Sequence, residues 1–140
     1  MKTPVILSIC GRQTYMDQEP DVIELVTEGT LEYRDNGWDI QYEESDLTGM
    51  EGVTTAFRIE QDRVILTRTG KLHSQMVFQE GVRHESLYQM EFGALMITVC
   101  AKRILVLLDK NGGTVDLIYG IDIEQTTAGE VDYHLEIRPK

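Results

Sequence analysis

The sequence lacks the features by which many enzymes and membrane proteins are identified. It has no apolar run approaching the ~20 residues of a membrane helix, and no G-x-S-x-G, P-loop or G-x-G-x-x-G motif. No stretch keeps the period of an amphipathic helix for more than a few residues. These absences exclude the commonest membrane and catalytic signatures and leave a strand-forming chain.

Basic residues are also scarce. The chain has 13 lysines and arginines against 24 aspartates and glutamates, which gives a formal net charge of −11. Lys102-Arg103 is the only adjacent basic pair. Because binding to phosphate backbones and anionic membranes comes mainly from lysine and arginine, the composition predicts no nucleic-acid partner and no membrane partner.

Cysteine is limited to Cys10 and Cys100, which lie far apart in apolar segments and form no CxxC motif. The N-terminal residues include no apolar segment of signal-peptide length. Free thiols without a secretion signal are typical of a reducing compartment. We therefore expect two unpaired cysteines and a cytoplasmic location.

Metal-binding patterns are absent as well. The three histidines, His73, His84 and His134, fall in different predicted strands, and no HxH or HxxxH spacing joins them. Such spacings are what bring ligands to one metal ion. The sequence therefore predicts neither a metal site nor a cofactor.

Two pairs of carboxylates are candidates for acid–base chemistry, namely Glu43-Glu44 and Asp116 with Asp122. Acids that alternate with apolar residues along a strand are more typical of a solvated face. We therefore interpret these residues as surface groups.

An alternation of apolar and polar residues runs through most of the 140-residue chain. It begins in Val5–Arg12 and Val22–Arg34, and Gly, Asn and Asp turns interrupt it, most clearly at Asp35-Asn36-Gly37. Gly29, in the middle of the second strand, is typical of a bend. About ten short strands with hairpin-length connections predict a single all-β domain, residues 1–140, folded as an antiparallel up-and-down barrel, with a two-sheet sandwich as the alternative.

Two segments, Ala94–Ala101 and Ile104–Leu108, are apolar on both alternating faces. We interpret them as two strands of a hairpin, with Lys102-Arg103 as the connection or as a bulge. One face would fill the barrel and the other would need a cover. The sequence therefore predicts a homodimer through the Ala94–Leu108 hairpin.

Arg68 is the polar residue of greatest interest. It keeps the strand register of Val64 and Leu66, so its side chain should point where theirs point. A guanidinium inside the barrel would need a carboxylate, carbonyl groups or an anionic ligand. The alternative is that Arg68 reaches solvent at the end of its strand.

Four further residues are candidate ligand contacts. Tyr42, Tyr88 and Tyr119 each offer an apolar ring with one hydrogen-bonding group, and Met76 offers an adaptable apolar surface. The alternative for all four is ordinary core packing.

Short segments spread along the chain carry a family resemblance. They are Glu28-Gly29, Tyr42-Glu43-Glu44, Thr54-Thr55, Val64 to Arg68 with Gly70, Met76-Val77-Phe78, Gly81, Tyr88, Gly93 and Gly112-Gly113. In order and spacing they resemble the YwiB-like family of small bacterial β-barrel proteins, a domain of unknown function. The resemblance implies a calycin-like, lipocalin-like barrel and no known reaction.

The predicted function is non-enzymatic binding of a small, partly apolar molecule in or at the mouth of the barrel, with Arg68 as the anion anchor. The alternative is a protein-interaction module that acts through its acidic surface. A small hydrolase or isomerase is a further alternative, and it would need two titratable groups that converge in one cleft.

Overall fold

A computed structural model describes residues 2–14, 19–45, 50–90, 93–124 and 126–140. The described residues form ten strands and no helix, so none of them belongs to a helix that could cross a membrane. The strands are β1 (Thr3–Thr14), β2 (Asp21–Arg34), β3 (Gly37–Glu43), β4 (Val53–Ile59), β5 (Val64–Gly70), β6 (Ser74–Phe78), β7 (Arg83–Met90), β8 (Gly93–Asp109), β9 (Gly112–Ile123) and β10 (Thr126–Pro139).

The ten strands form one antiparallel sheet in the order β6-β5-β4-β3-β2-β1-β10-β9-β8-β7. Its two edges, β6 and β7, meet again through isolated bridges between His73 and Gln89 and between Glu80 and Ala101. The sheet therefore curls into a nearly closed barrel, and we call the line between β6 and β7 the seam. This confirms the predicted all-β, up-and-down barrel and excludes the two-sheet sandwich.

The tight turn predicted at Asp35-Asn36-Gly37 joins β2 and β3, with one difference from the usual Asn-Gly turn. Arg34 pairs with Gly37, and the two residues between them, Asp35 and Asn36, both have positive φ, at 50° and 61°. Asp and Asn tolerate this conformation better than other residues with a Cβ atom. The left-handed pair is thus Asp-Asn, and the glycine opens the next strand.

The predicted hairpin from Ala94 to Leu108 is wrong in one respect, because both apolar segments belong to the single strand β8. The register with β9 shifts between Ala101 and Arg103, so Lys102 is the extra residue of a bulge. An extra residue exchanges the two faces of a strand, and inward positions are odd-numbered before the bulge and even-numbered after it. This exchange explains why both alternating sets are apolar.

Gly29 lies where strands β1, β2 and β3 pack closely together. A Cβ atom there would come within 2.6 Å of the Gln41 carbonyl oxygen and 2.7 Å of Leu7 Cδ1. Real Cβ atoms do not approach so closely, so β2 can press against β1 and β3 only because this residue has no side chain. The tight packing supports the neighbouring residue Tyr42.

The barrel interior is solid over about half its length. Fully buried side chains from most strands interdigitate there, since the inward positions are almost all apolar. They include Val5, Leu7, Leu31, Ile40, Phe57, Val64, Phe78, Val115, Leu117 and Leu135. The other half, toward the ends of β1, β3, β5, β7 and β9, is not filled.

Candidate functional site

A cavity of about 510 Å³ occupies the unfilled half of the barrel. We call this end, where β1, β3, β5, β7 and β9 terminate, the mouth. Apolar side chains make up much of the cavity wall, and they include Ile9, Leu25, Ile97, Ile121 and Val131. The volume lies within the ~300–1,000 Å³ typical of small-molecule sites.

All the residues singled out from the sequence as candidate contacts line this one cavity. They are Arg68, Tyr42, Tyr88, Tyr119 and Met76. Tyr42, Tyr119 and Met76 are buried, whereas Arg68 and Tyr88 are partly exposed. The strand register therefore brings side chains from five strands to a single surface.

Arg68 belongs to a row of polar residues that crosses four strands on the inner face. In the register, Tyr42 of β3 lies opposite Thr55 of β4, Thr55 lies opposite Arg68 of β5, and Arg68 lies opposite Ser74 of β6. Directly opposed residues of antiparallel strands share a face, so these four side chains form a continuous band. We call it the polar row.

The polar row and the neighbouring Glu44 contain four buried polar atoms with no hydrogen-bond partner in the described part of the chain. They are Arg68 Nε, Thr55 Oγ1, Ser74 Oγ and Glu44 Oε1. Such atoms are uncommon in folded proteins, because each one costs free energy when it leaves water unpaired. Two of the four, on Arg68 and Glu44, belong to residues that line the mouth cavity, and the other two, on Thr55 and Ser74, lie beside Arg68 in the polar row. A molecule in this cavity could therefore pair with the open donor of Arg68 and the open acceptor of Glu44.

Glu44 corrects the interpretation of Glu43-Glu44 as surface acids. Glu43 is exposed and accepts a hydrogen bond from Thr54 Oγ1 at 2.9 Å. Glu44 is only 7% exposed and faces the cavity. Its backbone N–H donates to the Val53 carbonyl at 2.9 Å, which extends the β3–β4 ladder by one residue and fixes the inward direction of the side chain.

Two tyrosines that line the cavity, Tyr119 and Tyr133, pack against aromatic residues of the core. The ring of Tyr119 contacts Phe78 at a centroid distance of 4.5 Å, and the ring of Tyr133 contacts Phe57 at 5.6 Å. Burial raises the pKa of Tyr119 to about 12 and raises that of Tyr133 well above its usual value. Both phenols are therefore neutral hydrogen-bonding groups at physiological pH.

Tyr42 connects the two charged groups of the cavity. Its pKa is raised to about 12, first by burial and then by the nearby Glu44 carboxylate, while the Arg68 guanidinium acts in the opposite direction. The Tyr42 phenol also interacts with that of Tyr133. A guanidinium, a carboxylate and two phenols thus surround one small volume.

The remaining candidates from the sequence lie elsewhere. Asp116 contacts His134 Nδ1 at 2.5 Å and Asp122 pairs with Arg83 at 2.9 Å, so the two aspartates do not act as a pair. His84 contacts Gln79 at 3.3 Å. Within the described ranges, no group of three or more histidine, cysteine, aspartate or glutamate side chains has the geometry of a metal site.

A larger depression of about 990 Å³ lies at the opposite end of the barrel. Its charged residues are paired on the surface, for example Arg63 with Asp62 at 3.2 Å. None of the buried polar atoms without a partner lines it. The cavity at the mouth is therefore the better candidate site, although it is smaller.

Four residues in or beside the site were not among the predicted ligand contacts. They are Glu44, Thr55, Ser74 and Tyr133. Strand parity puts Ser74 on the same face as the predicted contact Met76, and Glu44 on the same face as Tyr42. Parity does not say how far along the barrel a residue lies, and the row of opposed residues became visible only with the register.

The ten-stranded antiparallel barrel, with a partly apolar cavity at its mouth, has a lipocalin-like fold. The chain belongs to the family described as a domain of unknown function (DUF1934), whose model matches residues 7–137. The crystal structure of the ywiB protein from Bacillus subtilis has a similar fold, with a TM-score of 0.82 and 24% sequence identity over 96% of this chain and 92% of that chain. At that identity the likeness shows the fold. No curated protein matches the chain.

Proposed function

We propose that this protein binds a small, partly apolar molecule with an anionic group in the cavity at the barrel mouth. The observation that carries the proposal is the inward Arg68, whose buried Nε has no hydrogen-bond partner in the described residues. No described carboxylate forms an ion pair with this guanidinium within 4.0 Å. A partly buried guanidinium whose Nε is buried and unpaired is stabilised by an anion that enters beside it.

The rest of the cavity supports a ligand of this kind. The isoleucine, leucine and valine side chains of the wall would bury its apolar part. Thr55 and Ser74 flank Arg68 in the polar row, and their buried hydroxyl groups have no hydrogen-bond partner among the described residues. Tyr42, Tyr88, Tyr119 and Met76 would contact the ligand body.

The first experiment is native mass spectrometry of the purified protein, and we expect a small molecule to remain bound. Arg68→Met keeps the apolar stem of the side chain and removes the charge, so it should reduce occupancy at least tenfold while the fold stays intact. Arg63→Met is the matched control, since Arg63 pairs with Asp62 at the other end of the barrel. Equal occupancy in both variants would show that Arg68 is not the anchor.

An isomerase or hydrolase is the second candidate, because Glu44 and Tyr42 bring two titratable groups into one cleft. The raised pKa of Tyr42 keeps its phenol protonated, so at physiological pH this group is a proton donor and not a base. If a bound molecule is released chemically unchanged after prolonged incubation, the result would favour binding without catalysis.

A protein-interaction role through the acidic surface has only the net charge of −11 in its favour.

Cys10 and Cys100 are both free thiols. Unpaired thiols support a cytoplasmic location, which we propose for the protein.

A further inference from the structure

We propose that the ligand is amphoteric: besides the anionic group held by Arg68, it carries an ammonium group that binds Glu44. The inference rests on the proposed function, since it names a second anchor in the same cavity. It would restrict the ligand to molecules of amino-acid type, with an acid and an amine on an apolar body.

The first support is the state of Glu44. This side chain is 7% exposed, lines the cavity, and has one carboxylate oxygen without a partner among the described residues. No described lysine, arginine or histidine lies within 4.0 Å of it. The Tyr42 phenol already donates one hydrogen bond to this carboxylate. An ammonium group would supply the opposite charge and a donor for the oxygen that remains open.

The second support is the relative position of the two anchors. Arg68 lies in the same row as Tyr42, two strands away, which is roughly 10 Å between backbones. Glu44 lies two residues beyond Tyr42 on the same strand, roughly 7 Å further toward the opening. Arg68, Glu44 and Tyr42 all line the same cavity, so one small molecule could contact both charged groups.

The third support is the charge balance. An acid alone would neutralise Arg68 and bring a second negative charge close to Glu44. An amine alone would neutralise Glu44 and bring a second positive charge close to Arg68. A molecule with both groups satisfies both anchors and adds no net charge to a partly buried site.

The test uses three probes with a common phenyl body, namely 3-phenylpropanoate, phenylalanine and 2-phenylethylamine, titrated by NMR chemical-shift changes at up to 10 mM (about the level needed for weak fragments). We expect phenylalanine to bind at least tenfold more tightly than 3-phenylpropanoate. Glu44→Gln should reduce this ratio to about one. Glu43→Gln is the control and should leave the ratio unchanged, because Glu43 faces outward and binds Thr54.

The outcomes separate the two proposals. If 3-phenylpropanoate and phenylalanine bind equally, or if the ratio survives in Glu44→Gln, the ammonium site is wrong and the anion site stands. If none of the probes shifts resonances of cavity residues, both proposals fail. If Glu44→Gln and Arg68→Met each lower the melting temperature and are strongly non-additive, the two side chains satisfy each other and the ammonium site is again wrong.

Discussion

Two arginines show how differently the same side chain can be used in this fold. Arg58 donates from its guanidinium to the carbonyl oxygens of Arg34 and Asp35 at 3.0 and 2.9 Å, and it pairs with Asp39 at 3.3 Å. It therefore holds the β2–β3 turn to strand β4. Arg68 faces the cavity and leaves its Nε unpaired in the described structure.

We expect opposite effects of the two Arg→Met substitutions on the free energy of unfolding. Arg58→Met should lower it by about 1–3 kcal/mol, because two carbonyls lose their donor and Asp39 keeps only Arg34 as an ion-pair partner. Arg68→Met should leave the ligand-free protein unchanged or raise its stability by about 1 kcal/mol, because an unpaired buried group is removed. Urea unfolding of both variants measures this. A loss of several kcal/mol in Arg68→Met would reveal a carboxylate partner within the protein.

The buried tyrosines predict a loss of stability at alkaline pH. Unfolded tyrosine has a pKa of about 10, whereas Tyr42 and Tyr119 have pKa values of about 12 in the folded state. Below pH 10 these phenols are neutral in both states, and the folded protein has its full stability. As the pH rises from 10 toward 12, the phenols ionise in the unfolded state first, and the free energy of unfolding falls. The difference corresponds to at most about 2.7 kcal/mol for each phenol.

Tyrosinate absorbance at 295 nm measures this effect. At pH 11 the folded wild-type protein and Tyr119→Phe should show the same absorbance, since Tyr119 is still protonated there. After unfolding at the same pH, the variant should show less absorbance by one tyrosinate. A lower absorbance in the folded variant would mean that Tyr119 titrates normally and is accessible to solvent.

At the scale of single strands, the bulge in β8 depends on a contact from outside the strand. The backbone N–H of Ile104, just after the bulge, donates to Glu80 Oε2 at 2.8 Å. Nearby, the N–H of Gly81 donates to the Ala101 carbonyl at 3.0 Å. The turn after β6 therefore satisfies groups that the bulge releases and closes the seam at that end.

We expect Glu80→Ala to destabilise the protein by about 1 kcal/mol, because the Ile104 N–H loses its acceptor. Glu80→Gln keeps an oxygen in the same place and should cost less than half as much. Amide hydrogen exchange of Ile104 should accelerate in the alanine variant only. Equal exchange rates in both variants would show that the carboxylate does not cap the bulge.

The strands also show what could be predicted from the sequence. Alternation gave the face of each residue, and the Asp-Asn-Gly segment gave the β2–β3 hairpin, because both are set by local geometry. The bulge at Lys102 was left open between two interpretations, since an extra residue has no periodic signature. The polar row was missed because it joins residues from four strands, and its alignment depends on loop lengths and registers that no single segment encodes.

At the scale of the whole molecule, the outer face of β8 remains the proposed dimer contact, restricted to its second half. Before the bulge, outward Thr98 is already buried within one chain, and the Arg83–Asp122 ion pair crosses the strand beside it. After the bulge, Leu105 is 38% and Leu107 is 63% exposed. We propose that a second copy covers these two leucines.

Light scattering at micromolar concentration should therefore report a dimer. Leu107→Glu should shift it to a folded monomer, since a buried charge without a partner would disfavour the contact. Val26→Glu is the matched control, because Val26 is 65% exposed on the outer face of β2, several strands away. A monomeric wild-type protein would contradict the proposal.

The seam has a consequence for the way the chain could be connected. The sheet is a strip whose ends are β6 and β7, and in its middle β1 and β10 lie side by side, with Val5 opposite Pro139. A circular permutant that links these two strands and opens the chain at the β6–β7 turn would visit all ten strands in their spatial order. The long β1–β10 ladder would become a local hairpin, and only the few bridges across the seam would become distant in sequence. The permutant should therefore refold faster than the natural chain while enclosing the same cavity.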